Sequence, residues 1–236
     1  MAEQLPLDLP STSSVERADF LEADANRLAL EWIERWPDWP APALTLAGPP
    51  GSGKTHLLRI WARAASATVI GGTDLDRPEL ADLLDRIGTA RAVAVDGADA
   101  VAGVADAERQ LFHLYNWLRE RGGHLLLAAT TPPARWGIVL PDLASRLRAA
   151  PVAELGAPDD ALLASVLVKL FHDRQLNFGE GVLDYMLGRM ERSLGAARDM
   201  VARIDRRSLV TRRAVTVRLV SEVFDEGVEC GRVGPD

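Results

Sequence analysis

Apolar residues follow two regimes along the chain. Up to about residue 156, short apolar runs alternate with stretches at helical spacing; beyond it, helical spacing continues alone. Five runs bounded by turn residues read as buried strands: 44–47, 68–70, 92–96, 124–130 and 152–155. Between them, apolar residues recur every three or four positions over 17–36 (Leu21, Leu28, Ile33, Trp36), 56–62, 78–87 and 108–121 (Leu111, Phe112, Tyr115, Leu118). A short helix with proline at its start is expected over 140–147. From Asp159 on, helices are predicted over 161–174, 181–192, 196–209 and 217–226. Strands alternating with helices imply an α/β unit with a parallel, five-stranded sheet, and the tail of helices implies a small bundle. The expected division is an N-terminal segment 1–16, a core 17–156, a helical domain 157–227 and a tail 228–236.

Composition narrows the class. With 47% hydrophobic and 26% charged residues the chain can bury a core, and no apolar run approaches the roughly 20 residues that span a bilayer. The N-terminus lacks the regions of a signal peptide, and the single Cys230 cannot form an intramolecular disulfide, so a cytoplasmic protein with no membrane partner is expected. A formal net charge of −7 argues against a protein that coats nucleic acid non-specifically.

The chemistry begins at Gly48-Pro49-Pro50-Gly51-Ser52-Gly53-Lys54-Thr55, between the first predicted strand and a helix that opens with His56. Backbone N–H groups of such a turn, with the helix dipole behind them, make an anion site. Lys54 would reach the β- and γ-phosphates of a nucleotide and Thr55 would place its hydroxyl on Mg²⁺. Asp96 ends the strand 92–96 and is the expected second metal-side residue, holding Mg²⁺ through its water shell. Gly97 follows, where many P-loop ATPases carry an acid that polarises the attacking water, so intrinsic hydrolysis should be slow. Thr130, ending the strand 124–130, stands where a γ-phosphate sensor would sit; a turn-forming threonine before Pro132 reads equally well.

Three further stretches resemble the DnaA group of the AAA+ superfamily. Residues 20–29, Phe20-Leu21-Glu22-Ala23-Asp24-Ala25-Asn26-Arg27-Leu28-Ala29, are similar to the segment that wraps the adenine in that group. Phe112-His113-Leu114-Tyr115-Asn116 resembles the helix after the Asp96-type strand. Leu140-Pro141-Asp142-Leu143-Ala144-Ser145-Arg146-Leu147 is similar to the box that carries the arginine finger, which maps onto Arg146. The resemblance implies an AAA+ P-loop core followed by a helical lid. It also implies bound ADP or ATP with Mg²⁺, contacted by Phe20, Leu21, Asn26, residues 48–55 and His56. The group's lid arginine aligns with Gly195, leaving Arg192 and Arg198 one turn to either side as alternatives. Thr130 replaces the group's usual Asp.

At the N-terminus, Gln4, Leu5, Leu7 and Leu9 precede a Ser/Thr leash. Their pattern resembles the hexapeptide by which bacterial proteins bind the sliding clamp, the β subunit of DNA polymerase III. DnaA itself is longer and ends in a DNA-binding domain. A DnaA-like module with a clamp peptide instead resembles the DnaA-homologous regulators. These hold ADP, sit on the DNA-loaded clamp and press an arginine finger onto ATP bound by DnaA, which ends its initiating activity. DNA contact would then be indirect, through the clamp. The arginines at 203, 206, 207, 212 and 213 read first as a solvated face of the lid. Two rivals share the core: a helicase-loader ATPase, and a blocker that joins DnaA without triggering hydrolysis. Homo-oligomerisation is left open by the sequence.

Overall fold

The computed structural model describes residues 17, 20–76 and 87–230. Five parallel strands form one sheet: β1 (Ala43–Ala47), β2 (Thr68–Gly71), β3 (Ala92–Asp96), β4 (His124–Ala129) and β5 (Val152–Glu154), in the order β2-β3-β4-β1-β5. The three central strands are buried on both faces, and their side chains divide by the strand period of two. Val93, Val95, Leu125 and Leu127 enter one core with α3 (Ala105–Glu120) and α4 (Pro141–Ala149). Leu44, Leu46, Ala94 and Leu126 enter the other with α1 (Arg27–Glu34) and α2 (Lys54–Ala64). The register brings Ala47 opposite Ala129 and Asp96 opposite Ala128, so the P-loop, Asp96 and Thr130 all leave the same edge of the sheet. Ligands bind at the carboxyl ends of strands in such sheets.

The lid consists of α5 (Asp160–Asp173), α6 (Val182–Leu187), α7 (Leu194–Thr211) and α8 (Val217–Cys230). It has its own core, built on Leu167, Phe171, Met186, Val201, Ile204 and Leu219. Both α5 and α7 begin on a side-chain cap: Asp159 accepts from Leu162 N at 2.7 Å and Ser193 from Ala196 N at 2.9 Å.

Two expectations change. The helix expected over 17–36 starts only at Arg27, because the Asn26 side chain ties up the preceding turn: its Oδ1 accepts from Ala23 N and its Nδ2 donates to Leu21 O. The helix expected over 181–192 stops at Leu187, with Gly188 as its cap, which puts Arg192 in a connecting turn. Of the helix expected over 78–87, residues 78–86 lie outside the described residues, as do Gln4, Leu5, Leu7 and Leu9. No described helix is long and apolar enough to cross a membrane.

Candidate functional site: a nucleotide site between core and lid

The P-loop turns on two glycines with left-handed backbone, Gly51 at φ +72° and Gly53 at φ +100°, the latter capping α2. Beta carbons elsewhere in the loop would collide: one on Gly48 would lie 2.4 Å from Leu155 O. Lys54, the first residue of α2, folds back over the loop and donates to Gly48 O at 2.7 Å and Pro49 O at 2.8 Å. Burial lowers its pKa, and the nearby carboxylates of Asp96 and Asp99 offset that only in part. Thr55 Oγ1 donates to Asp96 Oδ1 at 3.2 Å. The two residues expected on the metal side are therefore adjacent. Among the described residues no group of three or more His, Cys, Asp or Glu could hold a metal without help. Mg²⁺ keeps most of its waters and takes ligands from phosphates, so a hydroxyl and one carboxylate are a donor set that fits it. The hydroxyl of Thr55 and the carboxylate of Asp96 are the donors this chain would supply.

Asp99, the acid two residues past Gly97 that could in principle substitute for the one missing there, lies at the phosphate end. It sits in a 3₁₀ turn (Ala98–Val101), and its Oδ2 accepts from Thr130 N at 2.9 Å and from the Thr130 hydroxyl in a short contact. Gly97 opens that turn with φ +69°, and a β-carbon there would meet nothing within 4 Å. Position 97 thus offers no carboxylate and has a backbone that disfavours one.

On the other side of the loop, core and lid border a cleft of about 110 Å³. Phe20 and His56 stack with ring centroids 5.8 Å apart and planes 11° from parallel, forming one wall. Leu21, Asn26 and Gly53 line it from the core, and Leu162, Leu194 and Arg198 from the lid. The side-chain amide of Asn26 is committed to its own turn, so its part is to shape the wall. Arg198 is therefore at the cleft, whereas Arg192 pairs with Asp160 at 3.1 Å on the lid surface. The lid also touches the P-loop itself: Leu194 N donates to Gly51 O at 2.8 Å.

Arg146 lies on α4 and is partly buried. Its guanidinium lies over the rings of Phe112 and Tyr115 on α3, at 5.1 and 5.5 Å. Its ring contacts are thus with α3 and not with the nucleotide cleft.

A parallel β2-β3-β4-β1-β5 sheet with this loop and a helical lid defines an AAA+ core and lid. The lid, residues 160–224, matches the family model described as the lid domain of Hda. The chain therefore joins a lid similar to that of Hda to a core with the AAA+ fold. The fold is shared with domain III of the Thermotoga maritima replication initiation protein DnaA (TM-score 0.77, 19% identity, 92% of this chain and 98% of that one). The AMPPCP-bound DnaA of Aquifex aeolicus matches over 78% of this chain and 63% of its own (TM-score 0.65, 20% identity). The Thermotoga maritima RuvB branch-migration motor does so over 84% and 65% (TM-score 0.64, 20% identity). By sequence, an uncharacterised protein of Haemophilus influenzae is 25% identical over 231 residues, 95% of this chain and all of that one.

Proposed function

We propose that this protein is a negative regulator of chromosome replication. It holds a nucleotide, ADP in its working state, docks on the DNA-loaded sliding clamp through Gln4, Leu5, Leu7 and Leu9, and stimulates ATP hydrolysis by DnaA with Arg146. Its place of action is the cytoplasm. The observation that carries this reading is the mismatch within the site. Lys54, Thr55 and Asp96 are assembled for phosphates and Mg²⁺, but position 97 is a glycine with a left-handed backbone. A site built to hold a nucleotide and poor at consuming it suits a protein that acts on a neighbour's nucleotide. Arg146 supplies the means. A guanidinium delivered in trans neutralises charge on a transferring phosphoryl group and is worth about 10³ to 10⁵ in rate. Stacking on Phe112 and Tyr115 limits its rotamers before the partner arrives, so less entropy is lost on engagement.

The test is hydrolysis of DnaA-bound ATP with DNA-loaded clamp present. Wild type should stimulate; Arg146→Ala should bind the clamp and not stimulate; Gln4→Ala combined with Leu7→Ala and Leu9→Ala should lose the clamp. Normal stimulation by Arg146→Ala would sink the finger assignment. Binding to DnaA with no stimulation by wild type would make the protein a blocker instead.

A further inference from the structure

Glu108 is an acid where the surroundings are apolar. It lies in the first turn of α3 with 1% of its surface exposed, and among the described residues neither carboxylate oxygen meets a basic side chain. Instead it accepts backbone N–H groups from two separate segments. Oε1 takes Gly103 N at 2.9 Å and Val139 N at 3.0 Å; Oε2 takes Val139 N at 3.0 Å and Leu140 N at 2.7 Å. Burial by itself pushes the carboxyl pKa up, and the N–H bonds from Val139, Leu140 and Gly103 more than reverse it, so the group stays ionised. A buried charge satisfied only by backbone dipoles fixes whatever those dipoles belong to.

The two segments are informative. Gly103 closes the turn that begins at Gly97 and contains Asp99, the partner of Thr130 at the phosphate end. Val139 and Leu140 lead into α4, with Leu140 as its N-cap, six residues before Arg146. The Val139 side chain is 74% exposed and adds no packing, and its neighbours Ile138 and Leu140 are only partly buried against the core. We infer that Glu108 is a positioning residue: it ties the turn beside the nucleotide phosphates to the start of the helix that presents Arg146. A carboxylate can do this because it has two acceptor oxygens. An amide has one, so a glutamine can serve Gly103 or Leu140 but turns its NH₂ toward the other N–H.

The inference rests on reading Arg146 as a finger, and the experiment separates the two. In the DnaA-ATP assay with loaded clamp, Glu108→Gln should lower the maximal stimulated rate about 10- to 100-fold, the scale of a reacting group misplaced by about 1 Å. The half-saturating concentration of this protein and its nucleotide affinity should stay within about threefold of wild type, as positioning alone predicts. Added to Arg146→Ala, Glu108→Gln should cause no further loss, since both act through one guanidinium. Backbone hydrogen exchange should rise over 139–146 and stay unchanged in α2. If Arg146→Ala abolishes stimulation and Glu108→Gln does not lower it, the positioning role is wrong. If nucleotide affinity or thermal stability falls in step with the rate, Glu108 is merely structural and the inference also fails. If wild type does not stimulate and exchange over 139–146 still rises, the finger reading fails while the tether stands.

Discussion

At the scale of single residues, the phosphate end is governed by what stands at 97, 99 and 130. Gly97 has φ +69°, which costs an L-residue roughly 1–2 kcal/mol, and its open surroundings impose no clash. The penalty of a side chain there is conformational. The nearest acid, Asp99, is held by the amide and hydroxyl of Thr130 and is a Coulombic neighbour of Lys54. The Thr130 hydroxyl has one proton, which can go to Asp99 or to a phosphate oxygen but not to both. The missing acid at 97 is thus one of two deficits, and restoring a carboxylate there should not by itself restore an ATPase. Gly97→Asp is expected to lower unfolding stability by about 1 kcal/mol and to leave intrinsic turnover within about tenfold of wild type. Steady-state hydrolysis without partners, alongside thermal melts, checks both; turnover rising to that of an ordinary AAA+ ATPase would mean that the missing acid alone explains slow hydrolysis.

At the scale of elements, α3 and α4 act as a pair. Rings from α3 lie under the Arg146 guanidinium, and Glu108 at the head of α3 holds the entry to α4. A planar guanidinium stacks on aromatic faces and bonds phosphate oxygens in pairs, while an ammonium is a more strongly hydrated point charge. Arg146→Lys should thus keep the charge and lose the geometry, with stimulation of DnaA-bound ATP hydrolysis falling at least about tenfold while clamp binding is retained. Equal stimulation by the lysine variant would show that charge near the phosphate is sufficient. The pair also illustrates what the sequence did and did not disclose. The strands were legible because continuous apolar runs between turn residues have few other readings, and the P-loop because its spacing is demanded by backbone geometry. Arg146 was legible only through resemblance. Glu108 was overlooked, although 108, 111, 115 and 118 fall on one helical face, three members of which are Leu111, Tyr115 and Leu118. An acid on an apolar stripe is a signal, but its N–H partners at 103, 139 and 140 are distant in the chain. The helix expected over 17–36 starts ten residues late for a related reason: Leu28 fits the spacing, but it is 62% exposed, and the side chain of Asn26 satisfies a turn that no periodicity records.

At the scale of the whole molecule, the nucleotide site exists only where lid and core meet, and the contact runs through backbone. Leu194 N donates to Gly51 O, and Ser193, the cap of α7, lies directly against Gly51. A β-carbon on Gly51 would come within 2.3 Å of Ser193 Cβ and 2.6 Å of its Oγ. Gly51→Ala therefore carries two penalties that can be separated. One is local, since φ is +72° and alanine resists that conformation by about 1–2 kcal/mol. The other is steric and pushes α7 off the loop, opening the cleft in which Leu194 and Arg198 face Phe20 and His56. Removing the Ser193 side chain relieves only the second, and glycine at an N-cap costs only a few tenths of a kcal/mol relative to serine. Nucleotide affinity should fall at least about tenfold in Gly51→Ala, and adding Ser193→Gly should recover part of that loss while Ser193→Gly alone changes little. Titration with a fluorescent ADP analogue across the four proteins of this cycle measures the coupling. Strict additivity would mean that the lid does not bear on the loop, and that the nucleotide is held by the core alone.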